Sequence, residues 1–308
     1  MGEASSISWT DDTFNPWIGC TKISPECAAC YASVATPTRV ARAGGLELWG
    51  DAGARRITSA DNWRKPFRWN REAERTRRRR RVFCASLSDV FEARADLEET
   101  RARLWKVIEE TPHLDWMLLT KRAENIDLML PRAWLAKPRP NVWLGTTVGT
   151  EKRLEQLHHL LEVPAVVHFV SAEPLLEPLD IQPYLPGAPS DFPHRLAWVI
   201  AGGESYQPSF GSGLDRPARP MHPDWVRSLR DQCAEHKVAF HFKQWGDWLP
   251  QGEALYLGVH REAHETRRMP TPVSRDGGVV LERVGVAASG RNLDGRQHNG
   301  FPEVHRAA

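Results

Sequence analysis

Short apolar runs recur along the chain, and each of them ends in small or polar residues. Runs of this length without strict alternation are typical of parallel strands that are buried on both faces. The runs occupy residues 82–87, 114–119, 142–144, 166–170, 196–201 and 238–242. Apolar residues at helical spacing fill several of the intervals, as in 97–110, 151–161 and 223–236. The alternation of strand and helix predicts a parallel sheet.

A further strand near residues 7–10 or 14–18 brings the expected total to about seven, which predicts an α/β fold. We interpret it as a complete or partial (β/α) TIM-type barrel, because one such barrel of about 250 residues would use most of this chain. The barrel is expected in residues 1–250, with an Arg- and Trp-rich, partly helical insertion at 39–80 after the first strand. Residues 251–308 are expected to form a closing segment packed on the barrel.

Polar side chains follow the predicted strands at their carboxyl ends. In a parallel barrel these ends share one rim, which carries the active site. The expected catalytic residues are Asp89, Lys121, Glu173 and Lys243, and Thr146 and Glu204 complete the rim. Each of them taken alone could equally be a capping or loop residue, so the prediction depends on their common position.

Three of the five cysteines, Cys20, Cys27 and Cys30, lie close together in a C-x6-C-x2-C pattern between residues 20 and 30. A C-x2-C pair can present two thiolates to one metal centre from a single turn, and the third thiolate would arrive across a loop. Three thiolates on a cluster of four irons leave one iron without a protein ligand, open to a substrate or cofactor. The pattern therefore predicts an iron–sulfur site.

A zinc site is the alternative interpretation of the same cysteines. Structural zinc takes four protein ligands, so a fourth would have to come from elsewhere in the chain. Cys84, Cys233 and His168 are available. Cys84 falls in an apolar strand and Cys233 on a helix, which also favours a packing role for both.

The net charge says little about nucleic acid, whereas the clustering of arginines and the number of tryptophans suggest contacts with it. The net charge is only +2, but residues 77–81 form an unbroken run of arginines, and the chain has 13 tryptophans. Such a run is either a solvated helix end or a phosphate-binding patch, and the tryptophans either fill the core or stack on bases. The candidate nucleic-acid contacts are Arg77, Arg78, Arg79, Arg80, Arg81, Trp49, Trp63 and Trp69.

The beginning of the sequence lacks a basic stretch followed by an apolar one, and no run approaches the roughly 20 apolar residues of a membrane helix. We therefore expect a cytoplasmic protein without membrane contact, in a compartment that keeps thiols reduced. The sequence predicts no oligomeric state.

Eight short motifs occur together along nearly the whole chain. They are NPWIGC at 15–20, SDVF at 88–91, LTKR at 119–122, NVWLG at 141–145, SAEPL at 171–175, GGES at 202–205, RPM at 219–221 and KQWG at 243–246. In this combination, with the cysteine pattern, they resemble the phage-type three-Cys-motif family. That family is regarded as a distant relative of radical S-adenosylmethionine enzymes and is linked to repair of ultraviolet-damaged DNA.

The resemblance implies a 4Fe-4S cluster on the three cysteines, S-adenosylmethionine at the open iron, DNA as substrate and an electron donor as partner. It also suggests that Gly202, Gly203 and Glu204, together with Thr146, contact the cofactor. Two features depart from the usual radical-enzyme pattern. Six residues instead of three separate the first two cysteines, and the Gly-Gly-Glu segment follows a late strand instead of an early one.

The sequence leaves two main hypotheses on function. The first is a radical-S-adenosylmethionine-like enzyme, a lyase or a repair enzyme for DNA photoproducts. The alternative is a cluster-based electron-transfer or light-dependent repair protein that does not use S-adenosylmethionine, which the long C-x6-C loop favours. A nucleic-acid-binding module with a purely structural cluster fits less well, because carboxylates and lysines at barrel strand ends usually serve a reaction.

Overall fold

The computed structural model describes residues 5–205, 218–253, 265–269 and 278–304. Its strands are β1 (Asp12–Thr13), β2 (Trp17–Ile18), β3 (Arg56–Ile57), β4 (Arg80–Cys84), β5 (Leu114–Thr120), β6 (Val142–Thr147), β7 (Val167–Ala172), β8 (Trp198–Gly202), β9 (Ala239–Gln244), β10 (Trp248–Pro250), β11 (Glu265–Met269), β12 (Val279–Arg283), β13 (Asn292–Leu293) and β14 (Arg296–Gln297). Its α-helices are α1 (Thr36–Ala43), α2 (Ala60–Thr76), α3 (Glu98–Glu109), α4 (Ile126–Met129), α5 (Arg132–Ala136), α6 (Glu155–Glu162), α7 (Pro223–Glu235) and α8 (Val286–Ser289).

Seven strands form one sheet in the order β1-β4-β5-β6-β7-β8-β9, and every neighbouring pair is parallel. Within the described residues the two edge strands β1 and β9 do not pair, so the sheet is a half-barrel. The prediction of a partial barrel of seven parallel strands is confirmed. The first strand is the exception, since it lies at Asp12–Thr13 and in neither expected interval. The apolar pattern does not reveal this strand, because the strand contains Asp12, whose carboxylate is buried in an ion pair with Arg80.

Both faces of the sheet are buried, and alternate residues of each strand face opposite sides. One face packs on the helices through residues such as Val82, Trp116 and Leu144. The other face, the concave interior, is filled by a cluster of large side chains. This cluster contains Trp9, Phe83, Met117, Trp143, Val167, Phe169, Trp198 and Ile200. The lower part of the half-barrel is thus a solid core, which leaves open space only near the strand ends.

The two ends of the chain cover the gap between β1 and β9. Ser8 Oγ lies 2.9 Å from His241 Nε2 on β9, and Asn299 forms an antiparallel bridge with the same residue. Phe301 packs on Trp198 at a centroid distance of 5.3 Å, and the Arg81 guanidinium lies 3.8 Å from its ring. Residues 298–301 therefore link the last strands of the sheet to the first. Other parts of the expected segment 251–308 lie outside the described residues.

Residues 17–58 form a small unit above the sheet, which we call the cap. It consists of the β2–β3 ribbon, the cysteine loop, α1 and the turn that precedes β3. Its apolar residues Ile18, Ala32, Ala41 and Leu48 pack together with Leu87, which follows β4. The predicted insertion at 39–80 begins in the cap and continues through α2, the helix that joins the first two strands of the sheet.

In the described ranges, no helix is long and apolar enough to span a membrane.

Candidate active site

A cavity of about 570 Å³ opens at the carboxyl ends of the sheet strands, beneath the cap. Several of the predicted site residues line it together. They are Cys20, Cys27, Cys30, Trp49, Asp89, Lys121, Glu173, Gly203, Glu204 and Lys243. Residues from the N-terminal segment, the cap and the ends of β4, β5, β6, β7, β8 and β9 thus enclose one space. Side chains from distant parts of the sequence meet here because parallel strands end at one edge.

The cysteine loop follows β2 and contains two short 3-10 turns, Pro25–Cys27 and Tyr31–Val34. Cys20 forms a parallel bridge with Trp49, and its carbonyl accepts a hydrogen bond from Gly50 N. The preceding residue, Gly19, has a φ of +119°, and a Cβ there would lie 2.4 Å from the Leu48 carbonyl oxygen. Only glycine suits this position, which turns the chain toward the cavity immediately before the first cysteine.

Three hydrogen bonds from distant strand ends hold the cysteine loop in place. Gly149 N donates to Glu26 Oε1 at 2.8 Å, and Arg219 Nη2 donates to the Pro25 carbonyl at 3.0 Å. Arg122 Nη2 donates to the Thr21 carbonyl at 2.8 Å. The loop is therefore fixed to the rim at both ends of the C-x6-C interval.

Asp89 is the centre of the network beneath Cys20. Its carboxylate accepts hydrogen bonds from Thr120 Oγ1 at 2.7 Å, Phe91 N at 3.0 Å, Lys121 N at 3.1 Å and Arg122 Nη1 at 3.0 Å. These four donors occupy both of its oxygens. Asp89 therefore positions the two basic residues and is a poor candidate for proton transfer.

Arg122 is not among the predicted site residues, although its neighbour Lys121 is. Arg122 Nη1 lies 3.6 Å from Cys20 Sγ, and Nη2 lies 3.8 Å from Glu92 Oε1. Glu92 in turn forms a buried ion pair with Arg55, whose Nη2 is 2.7 Å from Oε1. The LTKR motif indicates that both of its basic residues follow one strand. The alternation of side chains along that strand does not reveal that the Arg122 guanidinium reaches the Cys20 thiol.

The thiol electrostatics differ along the loop. Burial and the Asp89 carboxylate raise the pKa of Cys20 to about 12, although Arg122 opposes them. Burial also tends to raise the pKa of Cys27, but the Lys121 ammonium and a hydrogen bond with Ser24 keep it below its ordinary value. Burial tends to lower the pKa of Lys121, but the negative charges of the Cys27 and Cys30 thiolates outweigh that effect and raise it. Cationic side chains thus accompany the cysteines, as anionic thiolate ligands require.

Glu173 and Lys243 form an ion pair on the opposite wall of the cavity. Lys243 Nζ lies 2.6 Å from Glu173 Oε1, and Gln244 Nε2 donates to the same oxygen at 3.3 Å. Gln244 also donates to Ser205 Oγ at 3.0 Å. The group presents a carboxylate, an ammonium and an amide to the cavity, which suits recognition of a polar ligand.

Glu204 pairs with an arginine at the edge of the cavity. Both of its oxygens are bound by Arg219, with Nε 2.8 Å from Oε2 and Nη2 2.5 Å from Oε1. Glu204 thus anchors Arg219, which reaches across to the Pro25 carbonyl of the cysteine loop. Glu204 also lines the cavity, and its contact with the methionine amino group stays a prediction.

The two neighbouring glycines allow close approach of protein backbone. A Cβ on Gly203 would lie 1.9 Å from the Trp245 carbonyl oxygen, and a Cβ on Gly202 would lie 3.3 Å from Glu173 Cδ. Thr146 is fully buried and donates to the Thr120 carbonyl at 3.1 Å, so it does not face the cavity. The next residue, Thr147, lines the cavity and lies 3.4 Å from Lys121 Nζ. Thr147 and not the predicted Thr146 therefore faces the cavity, because side chains alternate along a strand.

Of the predicted stacking residues, only Trp49 reaches the cavity. Trp63 and Trp69 lie on α2 and are 2% exposed in the core, so neither ring offers a face to a base. For these two residues the structure supports the packing interpretation.

The arginine run lies at the amino end of β4, and the cavity lies at the opposite, carboxyl end of the strands. Arg79 pairs with Asp115 at 2.9 Å, Arg80 with Asp12 at 2.7 Å, and Arg78 and Arg81 both with Asp11 at 3.3 Å. Arg77 caps α2 in the left-handed conformation and is exposed. Most of the run is thus engaged in ion pairs within the protein, so it is not a free phosphate-binding patch beside the site.

Three buried polar atoms of cavity-lining residues have no hydrogen-bond partner among the described residues: Glu26 Oε2, Ser88 Oγ and Trp9 Nε1. An unpartnered buried polar group costs about 1–3 kcal/mol. At a cavity surface, such groups can be satisfied by a ligand or by bound water.

The three cysteines line one cavity, which is the arrangement that a cluster held by three thiolates needs. No three His, Cys, Asp or Glu side chains in the described ranges converge closely enough to hold one ion. In a four-iron cluster each thiolate binds a different iron, so the cysteines need only surround a common space, as Cys20, Cys27 and Cys30 do here. The proposed fourth zinc ligands lie elsewhere: Cys84 and Cys233 pack in the core, and His168 Nε2 bonds the Val163 carbonyl.

Comparison with known proteins places the chain in a family. One solved structure, a mutant of spore photoproduct lyase, aligns with a TM-score of 0.38 and 11% sequence identity, over 91% of this chain and 70% of that one. No curated protein matches the sequence. Neither search names the phage-type three-Cys-motif family, so that resemblance rests on the motifs alone. A family model described as "Protein of unknown function (DUF5131)" matches residues 4–302, nearly the whole chain, and the protein therefore belongs to the DUF5131 family.

Proposed function

We propose that this protein is an iron–sulfur enzyme of the radical-S-adenosylmethionine type. Cys20, Cys27 and Cys30 would hold a 4Fe-4S cluster, and S-adenosylmethionine would bind beside it in the cavity. The observation that carries the proposal is the position of three cysteines around one cavity at the carboxyl ends of a parallel half-barrel. Such a rim is where enzymes with parallel barrels carry out their chemistry.

The bound cluster and S-adenosylmethionine would together supply one-electron chemistry that the protein's own side chains cannot perform. The chain contributes positioning and charge. Arg122 and Lys121 offset the negative charge of the thiolates, and Asp89 accepts one hydrogen bond from the Arg122 guanidinium and one from the Lys121 backbone. The filled barrel interior below the cavity excludes water from one side, which protects a reactive species from side reactions.

We assign recognition of the bound ligand to the Glu173–Lys243 pair and to the three buried polar atoms without a partner at the cavity. Glu173 and Lys243 provide opposite charges 2.6 Å apart at the cavity surface. Glu26 Oε2 can accept a hydrogen bond, Trp9 Nε1 can donate one, and Ser88 Oγ can do either. A ligand with ammonium, carboxylate and hydroxyl groups, such as S-adenosylmethionine, could satisfy this set.

The substrate part of the proposal is nucleic acid, with ultraviolet photoproducts in DNA as the leading candidate. It rests on the motif resemblance, because the arginine run and two of the three candidate tryptophans lie away from the site. A base in duplex DNA would have to leave the stack to reach the cavity. Trp49 is the candidate residue for stacking with such a base at the rim.

The experiment is anaerobic reconstitution with iron and sulfide, reduction, and addition of S-adenosylmethionine. We expect about four irons per chain and formation of 5′-deoxyadenosine. Cys233→Ala is the matched control, since that buried thiol packs in the core and should leave iron content and product unchanged.

Two results would overturn parts of the proposal. Iron-free protein after reconstitution would remove the cluster. A full cluster that forms no 5′-deoxyadenosine, in a protein that nevertheless repairs irradiated DNA, would favour the electron-transfer or light-dependent alternative, which does not use S-adenosylmethionine.

A further inference from the structure

Four buried charged side chains form a row beside Cys20 and alternate in sign along it. In order they are Arg55, Glu92, Arg122 and Asp89. The Arg55 guanidinium binds both oxygens of Glu92, with Nε 2.8 Å from Oε2 and Nη2 2.7 Å from Oε1. Arg122 stands between the two carboxylates, with Nη2 3.8 Å from Glu92 Oε1 and Nη1 3.0 Å from Asp89 Oδ2. Two positive and two negative charges thus balance in what we call the charge row.

The charge row holds Thr21, the residue that follows Cys20. Thr21 N donates to Glu92 Oε1 at 3.0 Å, and Arg55 Nη2 donates to Thr21 Oγ1 at 2.9 Å. Arg122 Nη2 donates to the Thr21 carbonyl at 2.8 Å. Three of the four members therefore fix the backbone beside Cys20, and the Arg122 guanidinium cannot leave this place without breaking its bond to Thr21.

Arg122 is also the member of the row that contacts a sulfur. Its Nη1 lies 3.6 Å from Cys20 Sγ, close enough for an N–H···S hydrogen bond. Cys27 Sγ has a neutral group at a similar distance instead, since Ser24 Oγ lies 3.5 Å from it. A hydrogen bond from a charged donor is stronger than one from a neutral donor. The guanidinium therefore gives the Cys20 sulfur a contact that the Ser24 hydroxyl does not give Cys27.

Such a contact affects how readily a bound cluster accepts an electron. Hydrogen bonds to the sulfurs and the net charge of the surroundings both set the reduction potential of an iron–sulfur cluster. A reduced cluster carries one more negative charge than an oxidised one, so a guanidinium at the sulfur stabilises the reduced state more. Burial of Arg122 strengthens this effect, because little water screens its charge.

The balance of the charge row makes Arg122 especially important for this effect. Without its guanidinium the row would contain Arg55, Glu92 and Asp89, with a net charge of −1 beside Cys20. Asp89 would also lose the ion pair that neutralises it. An uncompensated carboxylate at this place would oppose the arrival of an electron on the cluster.

We propose that Arg122 raises the reduction potential of the cluster through its charged hydrogen bond to the Cys20 sulfur. This inference rests on the proposed function, since a cluster must be bound before it has a potential. In the reduction step one electron passes from a reductant such as dithionite, which is oxidised, to the cluster, which is reduced. No protein bond forms or breaks, and no proton is needed. Arg122 thus brings the reduced state within reach of weaker reductants.

The test compares the potentials of the reconstituted full chain and of two variants, Arg122→Gln and Arg122→Lys. A titration with dithionite, followed by visible absorption and electron paramagnetic resonance, gives the midpoint potential of each. In Arg122→Gln we expect the ratio of reduced to oxidised cluster at a fixed potential to fall about tenfold, or about 59 mV for a one-electron couple. Arg122→Lys keeps the charge but not the two-pronged geometry, so its shift should be smaller.

Arg153→Gln is the matched control, because it makes the same change at an arginine of the same rim. Arg153 Nη2 donates to the Lys121 carbonyl at 2.6 Å, and its Nη1 lies 3.5 Å from Glu155 Oε1. Arg153 does not belong to the cavity lining found among the described residues. Its replacement should leave the midpoint potential at the wild-type value. Iron content should be the same in all four proteins.

The outcomes separate this inference from the proposed function. Iron-free wild type would refute the proposed function itself. Iron-loaded Arg122→Gln with the wild-type potential would overturn the role of Arg122 alone. An equal fall in Arg122→Gln and Arg153→Gln would mean that any positive charge at the rim has this effect, which also overturns it. Loss of iron from both Arg122 variants would make the residue a requirement for cluster assembly and would likewise overturn its role in setting the potential.

Discussion

The two ends of the half-barrel are both rich in charged residues, yet they differ in how those charges are satisfied. At the amino end, Arg79 and Arg80 are paired with Asp115 and Asp12, whose carboxylates are almost completely buried. At the carboxyl end, charged residues such as Lys121 line a cavity of about 570 Å³, where a ligand can reach them. Charge density therefore does not distinguish the candidate functional end of this molecule, whereas the cavity does.

The largest expected effect is at the carboxyl end, where the cysteines should be indispensable for the cluster. Cys27→Ala should reduce the iron bound after reconstitution from about four atoms per chain to almost none, because a ligand is lost. Iron analysis and the visible absorption of the cluster measure this. Cys84→Ala, at a core cysteine, is the control. Full iron content in Cys27→Ala would mean that the ligand assignment is wrong.

At the amino end, replacement of Arg80 should affect stability and leave the cavity unchanged. Arg80→Ala would leave Asp12 buried without its guanidinium, which lies 2.7 Å away in the wild type. Since Arg80 itself is partly exposed, we expect a loss of about 2–3 kcal/mol in the free energy of unfolding. Urea denaturation measures it. Unchanged stability, or a loss of cluster content instead, would contradict the division between the two ends.

A pH effect should come from a buried histidine in the amino half of β7. Burial lowers the pKa of His168 to about 4, so the folded protein keeps its ring neutral, whereas the unfolded chain protonates it near pH 6.5. Its contribution to stability is therefore complete above about pH 6.5 and is lost as the pH falls toward 4, by about 1.4 kcal/mol per pH unit. His168→Gln, which can still donate to the Val163 carbonyl, should flatten this part of the stability curve. Parallel curves for variant and wild type would refute the assignment.

The smallest effect is expected for the exposed members of the arginine run. Arg77→Ser with Arg78→Ser should change the free energy of unfolding by less than about 0.5 kcal/mol per residue. It should also leave the affinity for irradiated DNA and its salt dependence unchanged, as measured by a binding titration at several salt concentrations. Weaker binding with a flatter salt dependence would restore the phosphate-contact hypothesis for the amino end.

Much of the fold could be predicted from the sequence because strands buried on both faces leave continuous apolar runs. The runs at 82–87, 114–119 and 166–170 each overlap a strand of the sheet. Because the carboxyl ends of parallel strands lie at one edge of the sheet, Lys121 and Glu173 line one cavity, as the topology predicts. The first strand was missed because it is two residues long and contains an ion-paired aspartate.

The surroundings of several site residues could not be predicted, because their partners come from distant parts of the chain. The GGES motif does not reveal that Arg219 binds both oxygens of Glu204. The arginine run resembled a phosphate patch until Asp11 and Asp115 were found beside it. Such pairs depend on strand register and loop path, which local patterns do not contain. The exchange of Thr146 for Thr147 shows the same limit at the scale of a single residue.

The seam between β1 and β9 has a consequence for aggregation. Asn299 and Phe301 close it from one side and Ser8 and Arg81 from the other, so segments far apart in the sequence must meet before the interior is covered. Until they meet, the tryptophan-rich interior is accessible on that side. Removal of residues 298–304 should make that condition permanent and promote aggregation.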